Sequence, residues 1–134
     1  MINVANAETK ISPCPDSPNC VSSLDSEKAS HHVAAFPVIL DQKTSFTVLK
    51  EIIASMPRTK LVQDQPGYLA FTFTSLVFRF VDDVEFEFDA AKQRIQVKSA
   101  SRTGYYDFGV NSKRVKEIRA RYMKRRKAFN IAAL

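Results

Sequence analysis

With three glycines and two histidines in 134 residues, the chain lacks the raw material for several kinds of chemistry. Gly67, Gly104 and Gly109 are far from one another or isolated in polar sequence, so there is no glycine-rich loop to cradle a phosphate. Nor is there a Gly-x-Ser-x-Gly elbow to present a nucleophilic serine. His31 and His32 are adjacent, and nothing in the sequence brings them near a serine elsewhere that would need a base. No apolar run approaches the roughly 20 residues that a membrane-crossing helix requires. The apolar stretch Leu76 to Val81 is interrupted by Arg79. There is also no internal repeat, and no recognised DNA- or RNA-binding motif, so nucleic acid is not an expected partner.

What is present is an ordinary globular composition, 45% hydrophobic and 25% charged, which argues against wholesale disorder. A chain of this length fits one domain, hiding about two-thirds of its unfolded surface on folding. Charge is unevenly placed. From Asn111 to Leu134 there are nine Lys or Arg against one Glu, whereas the preceding residues hold eleven bases and thirteen acids. Any electrostatic partner should therefore meet the C-terminal segment first, where Lys124, Arg125, Arg126 and Lys127 form a run suited to an anionic surface such as the face of a membrane.

The only cysteines, Cys14 and Cys20, lie in Cys-Pro-Asp-Ser-Pro-Asn-Cys, where two prolines stiffen the backbone. A disulfide across so short a loop is geometrically feasible, though a reduced pair would have the same sequence. Zinc held by these cysteines with His31 and His32 is disfavoured, because zinc ligands usually come as pairs two to four residues apart. Upstream, Val4-Ala5-Asn6-Ala7 has the small-x-small form of a signal-peptidase site, but no apolar segment precedes it.

Residues 1–32 are polar, rich in Ser, Pro and Asp, and read as an extended arm across the surface of a domain spanning 33–130. Ala34 to Leu40 contains Pro37, which marks an edge strand or an extended connection. A helix capped by Thr44 or Ser45 places Phe46, Leu49, Ile52, Ile53 and Met56 on one face and ends at Pro57. Lys60 to Asp64 and Tyr68 to Thr74 form a hairpin about Pro66-Gly67. Asp83 to Asp89 and Arg94 to Ala100 alternate strictly and should pair, acids opposite bases. Ser75 to Asp82 fits either a strand or a connection, and Ser101 to Asn111 reads as a loop. A last helix runs from Ser112 to about Phe129 with Val115, Ile118 and Tyr122 on its stripe. The expected fold is α+β, an antiparallel sheet of about four to five strands with two helices on one face and an extended N-terminal arm.

Three segments in order resemble the family catalogued as domain of unknown function 1499: Cys-Pro-Asp-Ser-Pro-Asn-Cys-Val-Ser-Ser (Cys14 to Ser23), Phe-Arg-Phe-Val-Asp-Asp-Val-Glu-Phe (Phe78 to Phe86), and Ser-Ala-Ser-Arg-Thr-Gly-Tyr-Tyr-Asp-Phe-Gly-Val-Asn (Ser99 to Asn111). The likeness covers the chain from Cys14 to about Tyr122, so the Lys124 to Lys127 run lies beyond it. The resemblance implies no settled activity. It does imply an exported or membrane-associated setting, as many members have, and so favours a location outside the cytoplasm.

The densest polar group comprises Asp82, Asp83, Ser99, Ser101, Arg102, Tyr105, Asp107 and Asn111, which could line a pocket for a small polar or anionic ligand. The plainer expectation is that Arg102 and Asp107 tie the loop to Asp83 while Asn111 caps the last helix. Asp82, Asp83 and Glu85 carry oxygen ligands for a hard cation. A calcium loop would have more donors at regular spacing, so neither a metal nor a cofactor is expected. Three functions follow: a non-enzymatic accessory or small-ligand-binding domain outside the cytoplasm, which the absences favour; an enzyme using Asp83, Ser101, Arg102 and Tyr105; and an adaptor whose basic tail grips an anionic surface.

Overall fold

The computed structural model describes residues 9–24, 30–104 and 106–132. It is α+β, an antiparallel sheet with both helices packed on one face. The strands are β1 (Cys20–Ser22), β2 (Phe36–Pro37), β3 (Thr59–Gln65), β4 (Tyr68–Thr74), β5 (Val81–Asp89) and β6 (Arg94–Ser101), with helices α1 (Gln42–Ala54) and α2 (Val110–Ala132). The β3-β4-β5-β6 meander runs in sequence order, and β1 and β2 both pair with the outer side of β6, at its two ends. These two short strands raise the strand number to six.

Alternation explains the meander. Leu69, Phe71 and Phe73 on β4, Val84 and Phe86 on β5, and Ile95 and Val97 on β6 turn one face inward. Against it lie Phe46, Leu49, Ile52 and Ile53 of α1 and Val115, Ile118 and Tyr122 of α2. Each such side chain, fully buried, contributes roughly 1.5–3 kcal/mol. Phe36 is the centre of this core: its ring lies 5.7 Å from that of Phe86 and 5.2 Å from that of Tyr122. The Tyr122 hydroxyl donates to the Pro37 carbonyl at 2.6 Å, so its polar end is satisfied where its ring is buried.

The Pro66-Gly67 turn joins Gln65 to Tyr68 across the hairpin, Gly67 taking the φ of +76° that this turn demands. α1 begins earlier than the Thr44 or Ser45 cap expected for it. Asp41 is the N-cap and accepts from the Thr44 backbone N–H at 2.7 Å, while the Ser45 hydroxyl turns inward onto Asp41 and Ile39. Ser75 to Phe80 is a connection, not a strand.

The arm crosses the second face of the sheet. Ile11 packs on Tyr68 and Ala70, the Lys10 backbone N–H donates to Glu87, and Lys98 donates to the Ser12 hydroxyl. Burial raises the Tyr68 hydroxyl well above its usual pKa, and its hydrogen bond to Glu85 adds to the effect. Gln96, expected outward, is buried here, bonded to Ser23 and Asp89. A disulfide joins Cys14 to Cys20, Cα atoms 5.7 Å apart, where the arm enters β1. Among the described residues, no helix is long and apolar enough to cross a membrane.

Candidate functional site

The end of the sheet where β6 leaves and α2 begins gathers most of the polar candidates. Register decides which of them meet. Asp82 pairs with Ser101 and Val84 with Ser99, so Asp82, Ser99 and Ser101 share the helix-covered face, while Asp83, one residue on, points to the opposite face. The two aspartates therefore do not converge. Among the described residues no three His, Cys, Asp or Glu side chains are grouped as metal ligands.

Asn111 is the hub. It is buried on the first turn of α2; its side-chain oxygen accepts from Ser99 Oγ at 2.6 Å and from Arg114 at 2.8 Å. Its amide nitrogen reaches Ser101 Oγ at 3.0 Å, Asp107 at 2.8 Å and the Asn19 carbonyl at 3.2 Å. Asn111 is thus not the cap of α2. The carboxylate of Asp107, two residues ahead of Gly109, accepts from the backbone N–H groups of Gly109 and Asn111 and so satisfies a donor of the first turn. Asn19, directly before Cys20, donates to the Gly104 carbonyl at 2.6 Å, so the disulfide loop, β6 and α2 are tied at one point.

Beneath the hub, Asp82 meets Arg114 at 2.8 Å, and the Arg114 guanidinium also covers the Phe73 ring at 4.7 Å. On the other face Arg102 grips Asp83 with two hydrogen bonds of 2.8 and 2.9 Å, both side chains about half exposed. That hydrogen bond, with the attraction of the carboxylate, raises the Arg102 pKa. Tyr105 lies outside the described residues.

Chemically, this arrangement holds a helix on a sheet. Among the described residues, the hydrogen-bond partners of the Ser99 and Ser101 hydroxyls are Asn111 and Arg114, neither of which is a base for a hydroxyl. His31 is buried elsewhere, its Nδ1 against the Cys20 carbonyl, and both thiols are spent on the disulfide.

Asn19 and Arg114 were not legible as partners of this group, although Arg114 stands three residues after Asn111 and four before Ile118 on the inward stripe. That spacing was the available signal. A second unforeseen feature surrounds the hub. The β4–β5 connection exposes Leu76, Val77, Phe78 and Phe80, and the approach to α2 exposes Tyr106 and Phe108. Phe78 is 74% and Phe108 80% accessible, each in contact with another exposed ring, Phe80 and Tyr106 respectively.

Two further regions carry charge. In the C-terminal run, Arg125 pairs with Glu51 of α1 at 2.8 Å and Arg126 donates to the Val38 carbonyl, while Lys124 and Lys127 face solvent. A cleft of about 420 Å³ between β2, β6 and α2 is lined by Arg94, Arg119 and His32. Among the described residues, the buried Arg94 Nε has no hydrogen-bond partner.

A family model described as Protein of unknown function (DUF1499) matches residues 10–121. No curated protein and no solved structure matches the chain.

Proposed function

We propose that this chain, which belongs to the DUF1499 family, is a non-enzymatic accessory domain working outside the cytoplasm that acts by docking the hub end of its sheet on another surface. The observation that carries this is a division of labour at one place. The polar groups there bond one another and brace α2 against β6, while the large apolar side chains beside them are left uncovered. An enzyme needs the reverse, reactive polar groups open to a substrate and apolar groups packed beneath them. The disulfide supports an oxidising compartment.

Photo-crosslinking in the producing cell tests the docking. A benzophenone side chain at position 78 or 108 should give adducts, and one at Gln63 on the exposed strand β3 should not. Equal yields at all three positions, or none at either loop, would remove the docking function.

A second reading rests on Arg94. An arginine N–H buried without an acceptor is costly, and an anion in the adjoining cleft would satisfy the guanidinium and draw on Arg119 as well. The ligand would be a small carboxylate or phosphate. Thermal stabilisation by citrate or phosphate that disappears in Arg94→Gln supports it; the same stabilisation in both proteins refutes it.

A further inference from the structure

The exposed apolar loops are arranged with charges that identify what they meet. Arg79 lies between Phe78 and Phe80, Arg58 occupies the α1–β3 turn at the same end of the sheet, and Lys113 stands on the first turn of α2. Arg58 and Lys113 also line, with Leu76 and Val110, a cleft of about 440 Å³ at the foot of the β4–β5 loop. Of the acids at this end, Asp82 is paired with Arg114, Asp83 with Arg102 and Glu117 with Arg121, and Asp107 accepts from the backbone at the start of α2. The loop tips themselves carry aromatic and aliphatic side chains with Arg79 among them, and Arg58 and Lys113 stand beside them.

We infer that this end of the molecule is a membrane-docking surface, with the tips of residues 76–80 and 106–108 entering the interface of an anionic phospholipid bilayer. The inference rests on the docking function above and names its partner. A bilayer requires no matching shape, so exposed apolar tips flanked by cations can enter it directly. Phe and Tyr partition to the boundary between headgroups and acyl chains, and an Arg beside them can lay its stem along the apolar layer and keep its guanidinium among phosphates. Arg58 and Lys113 add attraction to an anionic leaflet. Both tips also hold a non-glycine residue in the left-handed region, Arg79 at φ 57° and Phe108 at φ 56°.

This surface is distinct from the Lys124 to Lys127 run. α2 begins at the loop end, and at 1.5 Å per residue Lys124 lies about 20 Å further along its axis. Of that run, Arg125 and Arg126 are turned onto the body.

The test is co-sedimentation of the full chain with vesicles of phosphatidylcholine containing 30% phosphatidylglycerol, and with phosphatidylcholine alone. The wild type should bind the anionic vesicles more tightly, and the triple variant Phe78→Ser, Phe80→Ser, Phe108→Ser should lose about tenfold or more in affinity while melting as the wild type does. The variant Lys124→Ser, Lys127→Ser should retain most of the binding. No sedimentation of the wild type with anionic vesicles overturns the inference. If crosslinks at positions 78 and 108 then lead to a protein, or to a second copy of this chain, docking stands and the lipid partner falls. Binding that survives the triple variant and is lost in the lysine variant also overturns it, since the tail would then be the contact.

Discussion

The Asp82 carboxylate and the Arg114 guanidinium meet at 2.8 Å with only 10% and 12% of their side chains exposed, linking β5 to α2 below the Asn111 hub. Taking one partner away strands the other charge in a site from which water is largely excluded. Arg114→Met should cost on the order of 3–5 kcal/mol by chemical denaturation, and Asp82→Leu a similar amount. The double variant should be less damaged than the sum of the two, because the ion pair is lost only once.

Arg102 and Asp83 form a pair of equal length with a different environment. Both are about half in water, so solvent screens the attraction. Arg102→Ala and Asp83→Asn should each melt within a few degrees of the wild type, and the pair should vanish from a double-mutant cycle at high salt. A large loss in Arg102→Ala would mean that the loop depends on this contact for its fold.

Cys14 and Cys20 should both resist alkylation in intact producing cells and react only after reduction. With so few residues in the closed loop, reduction should lower stability by about 2 kcal/mol on the chain-entropy account. Two freely reacting thiols would remove the argument for an oxidising compartment.

Asp41 gives the fold a pH-dependent element. Its hydrogen bond from the Thr44 backbone N–H holds its carboxyl below the usual range. A carboxyl depressed in the folded state adds stability that is fully present above its unfolded pKa of about 3.9 and is lost as pH falls through the lower folded value. Asp41→Asn keeps a capping side chain without the ionisation. Its melting temperature should therefore fall less than that of the wild type between pH 5 and pH 2, as followed by circular dichroism.

The meander was legible because its signals are local. Val84 and Phe86 alternate with Glu85 and Glu87, and Pro66-Gly67 fixes the turn before Tyr68. What escaped depends on distant parts of the chain. Cys20–Ser22 has no pattern of its own and becomes a strand because the β6 edge accepts it. Gln96 has an outward position by alternation and is buried because Ser23 of the arm lies over it. Asp82 and Asp83 look like a ligand pair in sequence, and the pleat sends them to opposite sides. The fold brings Ser99, Ser101, Asp107 and Asn111 together, but residue type alone does not tell whether such groups face a ligand or one another. Contacts with Asn19 and Arg114 decide that.

The two short strands on β6 also govern what the sheet can join. A naked β6 would offer a row of unpaired backbone groups to any extended chain; β1 takes its C-terminal half, and β2, with a proline, closes the other. At the far margin, β3 is exposed, but its ladder is broken between Leu61 and Gln63, and Lys60 and Asp64 put charge along it. Neither border is a good template for a further strand, so recruitment by strand addition, and the runaway stacking that follows from it, are both disfavoured in this protein.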